Sequence, residues 1–153
     1  MGEMTIYELA HSPFCLPVRR ILEAAGVPYT TVEVPNHDRS DLLRLTGGAA
    51  YQVPVLDDGG TLVFETGADT QDVARHLDAT VARGALFPLR WEGWQAILLP
   101  HLENEVESAT FKLCDIHYIP SIQDPGARGM LIRHKERKFG RGCVDHWRDG
   151  RDS

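Results

Sequence analysis

Between Thr5 and Leu77 the hydrophobic period switches repeatedly between two residues and three to four, which limits the first half of the chain to a layered arrangement of short strands and helices. Thr5-Ile6-Tyr7-Glu8-Leu9 reads as a short strand. After Pro13 the apolar residues Val18, Ile21, Leu22 and Ala25 recur at helical spacing, and Gly26 with Pro28 just beyond marks the stop. Tyr29 to Val34 is β-branched and aromatic enough for a second strand, and a polar loop, Pro35 to Arg39, leads into a short helix from Ser40 to Leu45. Val53-Pro54-Val55-Leu56 and Thr61-Leu62-Val63-Phe64 then flank Asp57-Asp58-Gly59-Gly60, a turn composition suited to an antiparallel hairpin. Val73 and Leu77 mark a third helix. The order is a βαβ unit, a helix and a ββα unit, and the right-handed crossover rule sets the first helix on one face of the sheet.

From about Arg90 the character changes. Trp91, Trp94, Leu98, Leu102, Val106, Ala109 and Leu113 fall three or four apart, predicting one apolar stripe along a long helix with a bend at Pro100. Asp124 before Pro125 is a suitable N-cap and first helical residue, and Ile132, Phe139, Cys143 and Trp147 continue a second stripe. The expected organisation is an α/β domain over 1–80, a linker over 81–89 ending in Leu86-Phe87-Pro88, and an αα-hairpin within 90–153.

A length of 153 residues suits one ordinary domain or two small ones, and 42% hydrophobic with 25% charged residues is a globular composition. No apolar run approaches the ~18 residues needed to span a bilayer. Met1 to Thr5 has no basic and apolar leader, so a cytoplasmic location without membrane attachment is expected. Cys15, Cys114 and Cys143 are too few and too scattered for a disulfide framework or a zinc site. Residues 1–127 hold 8 Lys and Arg against 18 Asp and Glu, while 128–153 hold 8 against 4, giving net charges of −10 and +4. Because Glu136 and Gly140 interrupt the basic positions of the tail, a solvated or subunit-facing helix is expected rather than a nucleic-acid surface. His101 and Glu105 share helical spacing near Asp115 and His117, but surface polarity explains them and no metal site is expected.

Three short motifs carry chemistry. His11-Ser12-Pro13-Phe14-Cys15 stands where the first strand hands over to the first helix, and unpaired helix amides there favour an anion such as a thiolate. It is equally consistent with simple capping by Ser12 over a small buried Cys15. In Gln52-Val53-Pro54-Val55 the proline cannot donate to a ladder, so it belongs at an edge or a strand start, where a tight entry can hold it cis. The Val53 backbone is then left to bond an extended ligand. In Glu65-Thr66-Gly67 a carboxylate and a hydroxyl at a helix start can take an ammonium and a carboxylate, or can serve only as a cap.

In this order the three motifs resemble the glutathione S-transferase superfamily. Ser-Pro-Phe-Cys followed by Val18-Arg19, then Val53-Pro54-Val55-Leu56, then Glu65-Thr66 carries the likeness from Thr5 to about Pro88, and the helical remainder is similar to the opening helices of that family's second domain. The resemblance implies an α/β thioredoxin-like N-terminal domain with a four-stranded mixed sheet, followed by an all-α portion. It implies glutathione as co-substrate. Ser12 or Cys15 falls at the thiol-activating corner, while Phe14, Gln52, Val53, Pro54, Glu65 and Thr66 fall at glutathione-contacting positions.

The expected activity is conjugation of the glutathione thiolate with a small electrophile. Ser12 replaces the first cysteine of the glutaredoxin-like pattern Cys-Pro-Phe-Cys, which favours a hydroxyl donor over dithiol exchange. The alternatives are a monothiol oxidoreductase, which needs Cys15 exposed with a lowered pKa, and a noncatalytic interaction module. The family's helical domain continues for several helices beyond a point like Ser153, so the two stripes are expected to lack cover through truncation, association or both. A homodimer burying Trp91, Trp94, Phe139 and Trp147 is expected, with charge setting its orientation.

Overall fold

The computed structural model describes residues 3–10, 12–66 and 71–150. They divide into two compact units, 1–95 and 96–153.

The first unit is built on four strands, β1 (Met4–Glu8), β2 (Tyr29–Glu33), β3 (Val55–Asp58) and β4 (Thr61–Phe64), in the order β2-β1-β3-β4. β1 pairs in parallel with β2 across the helix α1 (Cys15–Ala24), and antiparallel pairing joins β1 to β3 and β3 to β4. The sheet is therefore mixed and four-stranded, the thioredoxin-like class expected from the sequence. Alternation along the strands supplies both faces. Met4, Ile6 and Leu56 pack with Val18 and Leu22 of α1 and with Val73 and Leu77 of α3 (Asp72–Leu77). On the other side Val55 packs with Val34, Ala50 and Leu42 of α2 (Ser40–Leu45), joined by Tyr7 and Phe64.

The hairpin begins two residues later than its apolar pattern suggests. Val53 and Pro54 precede the strand, because a proline has no N–H for the ladder, and pairing starts at Val55 against Tyr7 and Phe64. Asp57 and Asp58 extend β3 instead of turning. The turn needs only Gly59 and Gly60, which have φ of +60° and +98°, with the Gly60 amide donating to the Asp57 carboxylate at 2.6 Å.

After α3 come a π-helical turn (Asp78–Ala82) and a loop pinned by the buried Asp78, whose carboxylate accepts the amides of Leu86 at 2.8 Å and Phe87 at 3.3 Å. The remainder is α4 (Leu89–His101), a second π-helical turn (Leu102–Val106), α5 (Glu107–Ser121), α6 (Pro125–Phe139) and α7 (Cys143–Arg148). At Pro100, where the sequence predicts a bend, α4 continues to His101 and the π-helical turn begins at Leu102, with the Asn104 side-chain amide donating to the Pro100 carbonyl at 2.8 Å.

Two expectations for this region are corrected. The second stripe is two helices rather than one, since Gly140 and Gly142 adopt φ of +94° and +73° and break it before Cys143. The pair expected as a hairpin is thus a set of three shorter helices after α4. The second stripe, expected to lack cover and to supply Phe139 and Trp147 to a dimer, is covered within the chain: Cys143, Val144 and Trp147 pack with Phe139 and with Ile116 and Ile119 of α5, whereas Leu98, Leu102, Val106 and Leu113 of the first stripe stay exposed as expected. A buried ion pair, Lys135 Nζ to Asp115 Oδ2 at 2.7 Å, completes that core, with the ammonium 4.4 Å from the Phe111 ring centre. The Asp124 cap is as expected, its carboxylate accepting the Ala127 amide at 2.6 Å.

Candidate functional site

Strand register brings the three motifs to one end of the sheet. Tyr7 lies opposite Val55 and Val55 opposite Phe64, so the chain leaves β1, enters β3 and leaves β4 at the same end, and the Glu8–Glu33 pairing adds the end of β2. Ser12, Phe14 and Cys15 follow the first exit, Gln52, Val53 and Pro54 precede the entry, and Glu65 and Thr66 follow the second exit. His11 and Gly67, quoted with these motifs, lie outside the described residues.

At the β1–α1 corner Ser12 closes the first turn. Its carbonyl accepts the amides of Cys15 and Leu16, both at 3.1 Å, and its hydroxyl accepts the Phe14 amide at 3.3 Å. Ser12 is 8% exposed and Cys15 fully buried. Burial pushes the Cys15 thiol above its ordinary range, Glu8 adds to the rise, and contacts with Leu9 and Ser12 and the charge of Arg19 offset it only partly. The monothiol reading needs Cys15 exposed with a lowered pKa, whereas the thiol lies buried beside Ser12 with its pKa raised.

The approach to this corner is held from two sides. The Ala10 amide donates to Glu33 Oε2 at 3.1 Å, and the Ala10 carbonyl accepts from Arg19 Nη2 at 2.8 Å. Arg19 Nε also faces the buried Glu8 carboxylate at 3.2 Å. Burial raises the Glu8 pKa against the lowering by Arg19, and Glu33 adds to the rise. One guanidinium thus donates to the Ala10 carbonyl while its charge faces the Glu8 carboxylate.

At the entry to β3 the Val53–Pro54 peptide is cis and Pro54 is buried, while Gln52 is exposed and Val53 half-buried. Among the described residues Val53 belongs to no strand ladder. At the exit of β4 the side chains already have partners within the chain. Glu65 accepts the Asp72 amide at 2.7 Å and the Val73 amide at 3.4 Å. Thr66 donates both its amide and its hydroxyl to one oxygen, Asp72 Oδ2, each at 2.8 Å. The capping role weighed for this motif is therefore present, with the first turn of α3 as its partner.

Two residues of this end went unnoticed in the sequence. Asp72 is one; its pairing depends on a chain reversal that no local pattern signals. The other is Arg39, whose Nη2 bonds Asn36 at 3.1 Å while its buried Nε and Nη1 have no hydrogen-bond partner. Burial lowers its pKa, and the nearby Tyr51, Cys15 and Glu33 act in the opposite sense. Two buried guanidinium nitrogens without a partner among the described residues are costly unless something anionic meets them. Among the described residues no group of His, Cys, Asp and Glu is arranged to hold a metal ion, and no helix is long and apolar enough to cross a membrane.

A mixed sheet of this order, with helices on both faces and a helical portion following it in the sequence, defines a thioredoxin-fold domain joined to an all-α part. Residues 11–80 match the family described as glutathione S-transferase, N-terminal domain. The match covers 70 of the 153 residues, and it is the first unit that resembles the family's N-terminal domain. A comparison with curated proteins finds no match.

Several solved structures share the fold. Glutaredoxin 2 from Salmonella typhimurium, in complex with glutathione, is 22% identical with a TM-score of 0.63, over 99% of this chain and 66% of that one. A theta-class glutathione S-transferase from Xanthomonas axonopodis pv. citri, with glutathione bound, is 21% identical with a TM-score of 0.55, over 90% and 67%. A trimeric glutathione transferase from Leishmania is 18% identical with a TM-score of 0.59, over 100% and 32%. At these identities the likeness is one of fold, and this chain spans two thirds or less of the length of most of the proteins it resembles.

Proposed function

We propose that this chain binds glutathione at the end of its sheet and joins the glutathione sulfur to small electrophilic molecules, as a homodimer in the cytoplasm. The observation that carries the reading is the strand register, which gathers a hydroxyl corner, an unladdered Val53 backbone and the Glu65-Thr66 pair around one sheet end. The ligand's groups suit these in turn. The Val53 backbone bonds the cysteinyl segment beside Gln52, Phe14 and Pro54, Thr66 takes the γ-glutamyl carboxylate, and Glu65 faces the ammonium. The unpartnered nitrogens of Arg39 suit a second carboxylate. Glutathione bound in the Salmonella and Xanthomonas proteins supports the choice of ligand.

In the reaction the glutathione S–H gives its proton to solvent, and the Ser12 O–H donates to the resulting thiolate. Because Cys15 stays a neutral thiol, it does not compete for that ionisation. The thiolate then attacks carbon, forming a C–S bond as the bond to the leaving group breaks. Lowering a thiol pKa by one unit corresponds to ~1.4 kcal/mol, within the range of one charge-assisted hydrogen bond.

The test is thioether formation from glutathione and a chlorodinitrobenzene. Turnover above the spontaneous rate is expected, and Ser12→Ala is expected to cut it by about tenfold or more and to move its pH profile upward. A wild-type rate no greater than the uncatalysed one overturns the transferase reading.

A further inference from the structure

Thr66 offers two donors, an amide and a hydroxyl, that converge on a single point. A convergent pair of this kind suits one carboxylate oxygen, and in the structure one carboxylate oxygen fills it: Asp72 Oδ2, at 2.8 Å from both. Asp72 is the first residue of α3, half-buried, and its own amide is held by Glu65 at 2.7 Å. Glu65, Thr66 and Asp72 are thus linked by hydrogen bonds in which an acid of the chain occupies the position a ligand acid requires.

We propose that Asp72 is a built-in competitor for the ligand's carboxylate, so that glutathione enters only by displacing the Asp72 side chain from Thr66. This rests on Thr66 as the seat of the γ-glutamyl carboxylate. Two penalties follow. Binding is weakened by the fraction of molecules in which Asp72 holds the Thr66 donors, as for any ligand whose competent state is only partly populated. A displaced but still ionised Asp72 then stands near the arriving carboxylate, and like charges at that distance oppose binding further. Both penalties fall on a ligand with a carboxylate at this end and spare one without it. Asp72 thereby sets how strongly the site prefers an acidic γ-glutamyl end, and holds glutathione affinity below what Thr66 alone would give.

The experiment titrates wild type, Asp72→Ala and Asp72→Asn with two ligands by calorimetry. One is glutathione; the other is γ-aminobutyryl-cysteinyl-glycine, the same tripeptide with its α-carboxylate replaced by hydrogen. Asp72→Ala is expected to bind glutathione about tenfold more tightly than wild type, the scale of freeing one charge-assisted pair of donors. Asp72→Asn, which keeps an acceptor for Thr66 but removes the charge, is expected to gain about threefold, and it serves as the folded variant if the alanine protein proves unstable. Neither variant is expected to gain for the carboxylate-free tripeptide. Unchanged or weaker glutathione binding in both variants, beside a binding wild type, overturns the competitor and leaves the glutathione site standing. An equal gain for both ligands also overturns it, because the effect is then not tied to the ligand carboxylate. If no protein binds glutathione, the site reading falls and the competitor with it.

Discussion

The two units solve the burial problem to different degrees. In the first, seven residues on one face of the sheet and four on the other form closed clusters, because strand alternation presents apolar side chains to helices on both sides. In the second, among the described residues, four buried residues of α5 and α7 form one cluster, with partly buried residues of α6 packed against it and the Lys135–Asp115 ion pair joining α6 to α5. α4, which links the two units in sequence, buries no residue at all, and Trp94, Ile97 and Leu98 are at least half exposed. A sheet fixes where its partners must lie, whereas a helix with an apolar stripe fixes only that some partner is needed. The motifs resembling the glutathione S-transferase family sit on the first unit, whose core is complete; of the residues expected to be buried in a dimer, Trp91 and Trp94 on α4 are exposed, whereas Phe139 and Trp147 are packed within the chain.

Substitutions in the two cores test this contrast most strongly. Leu56→Ala, at a fully buried position between the sheet and two helices, is expected to cost about 3–4 kcal/mol in denaturant unfolding. A loss below ~1 kcal/mol would mean that the sheet core is looser than described. In the helical unit Asp115→Ala leaves the Lys135 ammonium buried without its partner and is expected to cost about 3 kcal/mol. The double variant Asp115→Leu with Lys135→Met is expected to recover most of that loss. Failure to recover would show that the pair positions the helices beyond its charge balance.

Smaller effects sharpen the comparison. Cys15 has a raised pKa when folded, so its contribution to stability is complete below the unfolded thiol value and is lost as pH rises through the folded one. Cys15→Ala is therefore expected to lower stability by about 1 kcal/mol at neutral pH but to flatten the alkaline decline. In the same pH series iodoacetamide should modify the exposed Cys114 and spare Cys15 until the protein unfolds. Rapid modification of Cys15 at neutral pH would revive the thiol-enzyme reading. Smallest of all, Trp94→Ala should change subunit stability by less than about 0.5 kcal/mol, because its side chain has little cover to lose. Light scattering at micromolar protein should nevertheless show weaker self-association. A clean 17.1 kDa wild-type species would contradict the dimer.

What the sequence disclosed follows from what its local patterns encode. Periodicity is local, so α2 is found at Ser40 to Leu45 as read, and the order of strands and helices in the first unit could be written down in advance. Turn chemistry shifted one boundary: Gly59 and Gly60 suffice for the hairpin, which freed Asp57 and Asp58 to extend the strand. The packed face of α5 was hidden because its central residue is an acid, Asp115, whose burial makes sense only with Lys135 two helices' faces away. At the candidate site Ser12, Val53, Pro54, Glu65 and Thr66 were visible from spacing and resemblance. Asp72 was not, since it acts across a chain reversal, and neither was Arg39, because no local pattern signals which of its nitrogens stay unpartnered.

The central claim is that the sheet end of the first unit holds glutathione, and calorimetric titration with glutathione tests it most directly. The account predicts saturable heat with a stoichiometry of one per chain and a matching thermal stabilisation. It also predicts that Glu65→Gln, which keeps an acceptor for the Asp72 amide but loses the charge facing the ammonium, remains folded and loses most of that heat. No heat and no thermal shift from the wild-type protein at millimolar glutathione would contradict it.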